Sequence, residues 1–342
     1  MPRTFAPILS LSLSVAAAAA AAALMLNAGG RNASADIFYS DGLNHVVTTT
    51  VADRFFVTSN STMTLGVGGV VLPPAPQGAQ SVSLSQGTLV LSGGTIGGSF
   101  YGVNGALNAT FNATSGQVNG GANGGSAVWL ASGSGNISGG TFNGGDFGGN
   151  AMILDSGSIP LSLNTTISGG TFQGGANTLG QGGSALFVTA FGTNILAING
   201  GIFNGGTGTP PANLGAALRV FTSPNPVQDK PLVVTVSGGQ FNGSIDVRGM
   251  YKTGTVNFLG TGLSFTDNGD GTGFLRGTLL DGSTINTRVL DTGDGVTATA
   301  TFVQFSGTAF IAVPEPSPLL LSAATFLAVT GYVRFRRRPK TS

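Results

Sequence analysis

Apolar positions in this chain fall into two regimes. At either end they run on with little interruption, from Ile8 to Leu26 and from Leu319 to Val333. Between those stretches they come in short groups of four or five: Ala127–Leu130, Ala151–Leu154, Ala185–Val188 and Ala216–Val220. Such short groups, bounded by glycine, predict buried strands, because an amphipathic helix needs a longer run with a period near 3.6. From Thr297 to Phe305 apolar and polar residues alternate, which predicts a strand with one buried face. The inner part of the chain is therefore expected to be all-β.

The short groups recur in step with a glycine motif. ISGGTFNGG starts at Ile137, ISGGTFQGG at Ile167, INGGIFNGG at Ile198 and VSGGQFNGS at Val236, with a degenerate copy, ALNATFNA, from Ala106. Their phenylalanines, Phe111, Phe142, Phe172, Phe203 and Phe241, are separated by steps of 31, 30, 31 and 38 residues. Near-equal steps imply one structural unit per step. The longest contains Pro210, Pro211, Pro224, Pro226 and Pro231 and reads as the same unit with an extra loop around Ser223 to Lys230. Two or three short strands per unit, Gly-Gly corners able to take positive φ, and no helix describe one coil of a parallel β-helix or solenoid of about 30 residues per coil. Coils would stack at about 4.8 Å. The phenylalanines would then form an internal stack, and the residues after them, Asn112, Asn143, Gln173, Asn204 and Asn242, an amide ladder. A row of sugar-binding amides is the functional rival to that structural ladder.

Around the repeats (106–254) the texture changes. Residues 36–105 carry strand-like runs such as His45–Val51 and Val82–Leu91, broken by Pro73-Pro74-Ala75-Pro76, and are expected to cap the first coil. Residues 255–312 carry hairpin signals at Asp270-Gly271 and Asp281-Gly282, which predict a closing antiparallel piece with no linker before Pro314.

Composition agrees with the pattern: 58 glycines and 8% charged residues fit poorly with an ordinary globular enzyme. With no cysteine, disulfides, thiolate metal sites and a Cys nucleophile are excluded. The formal charge of +1 is misleading, since residues 36–316 hold 7 basic against all 13 acidic residues, about −6. The basic excess belongs to the ends, so nucleic acid is not expected as a partner.

The two long apolar stretches read as export signals. Arg3, the stretch from Ile8 and the small-x-small sequence Ala33-Ser34-Ala35 form a signal peptide (1–35) with cleavage after Ala35, the alternative being a retained N-terminal anchor. At the other end, Val313-Pro314-Glu315-Pro316-Ser317 is followed by an apolar stretch and by Arg334, Arg336, Arg337, Arg338 and Lys340. Arginines beside an apolar helix keep that end in the cytoplasm, which places everything upstream across the membrane. The stretch is shorter than the roughly 20 residues a full span prefers and suits a transient anchor.

The tail VPEPSPLLLSAATFLAVTGYVRFRRRPK resembles the PEP-CTERM sorting signal of Gram-negative and related bacteria, over Val313 to Lys340 only. In that family a Pro-Glu-Pro motif, a transmembrane helix and an Arg-rich end are recognised by exosortase, a membrane enzyme that cleaves or transfers the passenger during export, often alongside exopolysaccharide production. The resemblance implies that Pro314, Glu315 and Pro316 of the 313–342 tail are the recognition residues. It also implies an exosortase-type enzyme and the inner membrane as partners before processing, and exopolysaccharide after it.

Candidate chemistry in the passenger is thin. His45, the single histidine, leaves at most one imidazole for acid–base work and reads as a surface strand residue. Asp267-Asn268-Gly269-Asp270-Gly271 lacks the alternating carboxylates and distal Glu of an EF-hand and reads as a turn, so no metal or cofactor is expected. A polysaccharide lyase or hydrolase would need converging carboxylates, and Asp229, Asp246 and Arg248 come nearest, with Asp146 and Asp155 coils away. The expectation is a non-enzymatic exported protein of the cell envelope or extracellular matrix, with a structural or adhesive role. An exported polysaccharide-active enzyme is the alternative.

Overall fold

The structure, a computed structural model, describes residues 36–307 apart from 73–79, 99, 157–160, 210–213, 223–229, 252 and 292–294. It is all-β, and its strands stack in parallel on three faces of a solenoid. Face A is built from Ile37–Tyr39, Phe55–Thr58, Val82–Ser85, Val103–Ala106, Val128–Leu130, Met152–Ser156, Leu186–Ala190, Ala216–Thr222 and Ser244–Gly249. Face B starts at Asn44–Val47 and Thr62–Leu65 and includes Gly133–Ile137 and Ser162–Ile167. Face C includes Thr50–Val51, Val70–Val71, Thr141–Asn143 and Thr171–Gln173. Longer strands such as Ala109–Asn119, Thr193–Asn204 and Leu232–Asn242 run through the corner from face B to face C.

Side chains alternate in and out along each strand, so a three-residue strand suffices to place two apolar residues inside. In Met152–Ser156, Met152 and Leu154 are buried while Ile153 and Asp155 point outward. On face A the inward row runs Leu130, Leu154, Val188, Val220, all buried. On face C it runs Val71, Ile96, Val118, Phe142, Phe172, Phe203, Phe241. Successive rings from Phe142 to Phe241 lie 4.8, 5.1 and 5.0 Å apart and within 22° of parallel, which is the coil spacing itself.

Phe111 does not belong to that row. It sits on face B in register with Leu89 and Gly135, and Val118 lies beneath Phe142. The coil step there is 24 residues, Phe111 to Gly135, rather than 31. Gly135 leaves room above Phe111, whose ring meets Phe142 edge-on at 6.1 Å. Coil length is also more variable than about 30: Ile37 to Phe55 is 18 residues and Met152 to Leu186 is 34.

The glycine repeats explain how the core stays constant while coil length varies. Between faces C and A the chain closes each excursion with a glycine pair: Gly121 and Gly125, Gly145 and Gly149, Gly175 and Gly183, Gly206 and Gly215. The later N–H of each pair donates to the earlier carbonyl. The earlier N–H donates to the later carbonyl of the preceding coil, as Gly145 does to Gly125 at 2.8 Å and Gly175 to Gly149 at 2.7 Å. The result is one hydrogen-bonded zigzag of glycines along the molecule. A Cβ on Gly145 would lie 1.7 Å from the Gly121 carbonyl oxygen, and one on Gly175 1.8 Å from that of Gly145, so no side chain fits. Residues 122–124, 146–148, 176–182 and 207–214 lie outside these closures and absorb the differences in length.

Residues 36–105 are not a separate cap, because their strands are the first coils of the same three faces. They escape the glycine repeat because several of their corners use other residues with positive φ, such as Ser59, Asn60, Gln86, Leu107 and Asn108. His45 is likewise not a plain surface residue. Its register partner Met63 is fully buried, and its ring stacks on Tyr39 at 3.8 Å and 5°, closing the open end of the first coil.

Beyond Ser244–Gly249 the pairing turns antiparallel. Gly254–Asp267 begins on face B, then pairs with Thr272–Leu279, which pairs with Thr284–Leu290, while Phe302–Ser306 covers Thr255–Leu259. The turns fall at the two Asp-Gly signals. Phe258, Phe265 and Phe305 meet edge to face and end the core. Among the described residues no helix is long and apolar enough to cross a membrane. The signal segment, the transmembrane tail and the junction before Pro314 lie outside the described residues.

Candidate functional faces

The sequence-predicted sorting residues Pro314, Glu315 and Pro316, the basic residues Arg334, Arg336, Arg337 and Arg338, and Ala33 and Ala35 at the leader junction all lie outside the described residues. What can be located are the outward surfaces of the solenoid.

On face C the outward amides Asn119, Asn143, Gln173, Asn204 and Asn242 occupy one register position. Asn143 Nδ2 donates to Asn119 Oδ1 at 2.8 Å, and Asn242 Nδ2 to Asn204 Oδ1 at 2.8 Å. Gln173, with a longer side chain, instead donates to the carbonyl of Gly174 at 3.0 Å. Asn112 is not part of this row: like Phe111 it lies on face B, where Asn136 donates to it at 3.2 Å. Asn143 and Asn204 are half-buried and spend hydrogen-bonding capacity on neighbouring coils. That is the behaviour of a structural ladder. Beside it, the stacked corners Gly139-Gly140, Gly170, Gly201 and Gly239 floor an open trough of about 500 Å³. The trough is blocked at one end by Asp281, whose Oδ2 accepts from Gly239 N at 2.8 Å.

The carboxylates do not converge. Asp246, buried on face A, is gripped by Arg248, whose Nε and Nη2 donate to its two oxygens at 3.0 Å each, with Arg219 Nε 3.9 Å away. This charge-assisted pair raises the pKa of Arg248. Asp229 lies outside the described residues, and Asp146 is exposed in the 146–148 excursion. In the acidic loop, Asp267 Oδ1 accepts from Gly269 N and Asp270 Oδ1 from Thr272 N, so both carboxylates hold turns. Among the described residues no three potential ligands gather as for a metal.

The surface that sequence reasoning missed is the outward side of face A. One register position carries Asn104, Trp129, Ile153, Phe187, Arg219 and Asp246 on successive coils. Tyr101 extends the row, its ring 5.0 Å from that of Trp129, and Arg219 covers Phe187 at 5.5 Å. Within it, Asp155 is pushed above the usual carboxylate range by burial, an effect only partly offset by the nearby indole N–H of Trp129. Tyr101 is raised too, by its own burial and then by the Asp155 charge. Yet Trp129 Nε1 and Asp155 Oδ1 are both shielded from solvent and neither completes a hydrogen bond of normal geometry. The signal was present in Val-Trp-Leu, Met-Ile-Leu, Leu-Phe-Val and Leu-Arg-Val. Read as apolar groups they look like core, but in a strand with both neighbours inward the middle residue must face out. The chain matches no protein-family model, no curated protein and no solved structure.

Proposed function

We propose that this chain is an exported protein of the cell envelope or extracellular matrix, acting as a structural or adhesive component and sorted through its PEP-CTERM-like tail. The observation that supports this reading most is the contrast between the two ends and what lies between them. Signal-like and tail-like segments flank a rod of nine stacked face A strands with extended, regular surfaces. A rod of this kind presents long faces to a partner, whereas turnover requires converging groups; Asp246 is neutralised by Arg248 and stands on a different coil from Asp155. Exosortase-type processing would act on Pro314, Glu315 and Pro316, with the arginines from Arg334 to Arg338 holding the tail in the inner membrane until then.

The test is fractionation of cells carrying Pro314, Glu315 and Pro316 replaced together by alanine. The reading predicts that the variant stays in the membrane fraction at full tail length while the parent reaches the surface. Unchanged surface delivery of the variant overturns the sorting role.

A further inference from the structure

We propose that the outer surface of face A around Trp129 binds a neutral polysaccharide chain, with Tyr101 and Trp129 as a stacking platform and Trp129 Nε1 and Asp155 as groups that engage sugar hydroxyls. This deepens the adhesive reading and rests on it, but its test is binding by purified protein and does not involve sorting.

Three observations carry it. The first is chemical: Trp129 Nε1 offers a donor and Asp155 Oδ1 an acceptor, both withdrawn from water and left without partners within the protein. Unpaired polar atoms at a partly buried site are costly unless something outside the fold completes them. A sugar hydroxyl both donates and accepts, so one hydroxyl between the two atoms satisfies both.

The second is shape. Tyr101 and Trp129 come from adjoining coils, with ring centroids 5.0 Å apart and planes tilted by 49°. Phe187 continues the aromatic character two coils beyond Trp129. Coil stacking places one outward side chain about every 4.8 Å along the axis, close to the repeat of sugar rings in an extended chain. The C–H faces of a pyranose lie flat on aromatic rings, whose large rigid surfaces bind with little loss of side-chain entropy.

The third is charge. Asp155 is the only ionisable carboxylate beside the platform among the described residues of that row, since Asp246 further along is paired with Arg248. The segment from 36 to 316 carries about six net negative charges. An acidic polymer would meet repulsion both locally and over the whole surface, so the complementary partner is an uncharged glycan.

Trp129 is the single tryptophan of the chain, so intrinsic fluorescence reports on this site alone. The full chain, purified in mild detergent, is titrated with neutral polysaccharides (dextran, laminarin, hydroxyethyl cellulose and galactomannan) and with alginate and polygalacturonate. The same polymers are then used in affinity gel electrophoresis. The expected result is a saturable fluorescence change and retardation with at least one neutral polymer and neither with the acidic ones. Trp129→Ala should weaken retardation by about tenfold or more, as expected for an aromatic anchor, while Trp129→Phe retains part of it. Asp155→Asn should weaken it less, and Phe38→Ala, at the far end of the face, should leave it unchanged. Circular dichroism checks that each variant is folded. Absence of any response across the neutral panel overturns the proposal, as does retardation that Trp129→Ala leaves intact, or a preference for the acidic polymers.

Discussion

The rings of Phe142 and Phe172 lie 4.8 Å apart and 15° from parallel, each on the coil next to the other, with both side chains fully buried. They stand at the middle of a stack that Phe203 and Phe241 continue. Removing a ring from inside the stack leaves a cavity with neighbours on both sides. Phe172→Ala should therefore cost about 3–5 kcal/mol, and Phe172→Leu about 1–2 kcal/mol. The urea midpoint of the purified protein measures both.

Gly145 provides a sharper test because nothing but its lack of a side chain is involved. A methyl there would lie 1.7 Å from a backbone oxygen in the glycine zigzag, whereas one on Gly66 would lie 3.5 Å from the flexible end of Thr48. Gly145→Ala should destabilise by about 3 kcal/mol or more, while Gly66→Ala stays within about 1 kcal/mol. Comparable melting temperatures for the two variants would remove the zigzag from the account.

The two ends should loosen in acid while the middle does not. Asp41 is held below the usual carboxylate range by its hydrogen bond to His45 and by the Leu43 N–H. Desolvation pushes Asp281 up, but hydrogen bonds from Ser283 and Gly239 outweigh it and leave it lowered as well. A carboxylate lowered in the folded state adds stability above its unfolded pKa, near 3.9, and that stability is lost as the pH falls through the folded value. Hydrogen exchange in 37–51 and 272–290 should accelerate below about pH 4 ahead of exchange in 128–204. Asp41→Asn and Asp281→Asn should each abolish the acid response at their own end.

Asp155 has the opposite sign. Its raised pKa means that folding favours the protonated form, a contribution fully present below the unfolded pKa and lost as the pH rises through the folded value. Asp155→Asn should accordingly raise the melting temperature at neutral pH, with the gain shrinking as the pH falls toward the ordinary carboxylate range. A melting difference that does not vary with pH would show that the carboxyl is not strained by burial.

Much of the architecture was legible in the sequence because stacked coils repeat their chemistry. The motif from Ile137 to Gly145 contains the inward Phe142, the outward Asn143 and the glycine closure at Gly145, and three further copies of the pattern fix the period. Where a coil lacked the motif, the reading slipped. Phe111 and Asn112 imitate the repeat in letters but lie on another face, because pairing follows the alternation of inward residues and Val118 fills the inward place below Phe142. Residues 36–105 looked like a cap because Ser59, Asn60, Leu107 and Asn108 turn corners that glycine turns elsewhere. The outer row of face A was hidden for a different reason: Trp129, Ile153 and Phe187 are apolar letters between apolar neighbours, and composition alone does not separate inside from outside. His45 was misplaced by the same ambiguity, since a polar residue at an inward position is tolerated only at the open end of the core.

Mass spectrometry of both termini of the protein recovered from the cell surface tests the central claim most directly. The account predicts a mature chain that begins at Asp36 and has lost the segment from Leu319 to Ser342. A chain that keeps Met1 and Ser342 and is found only inside the cell would contradict it.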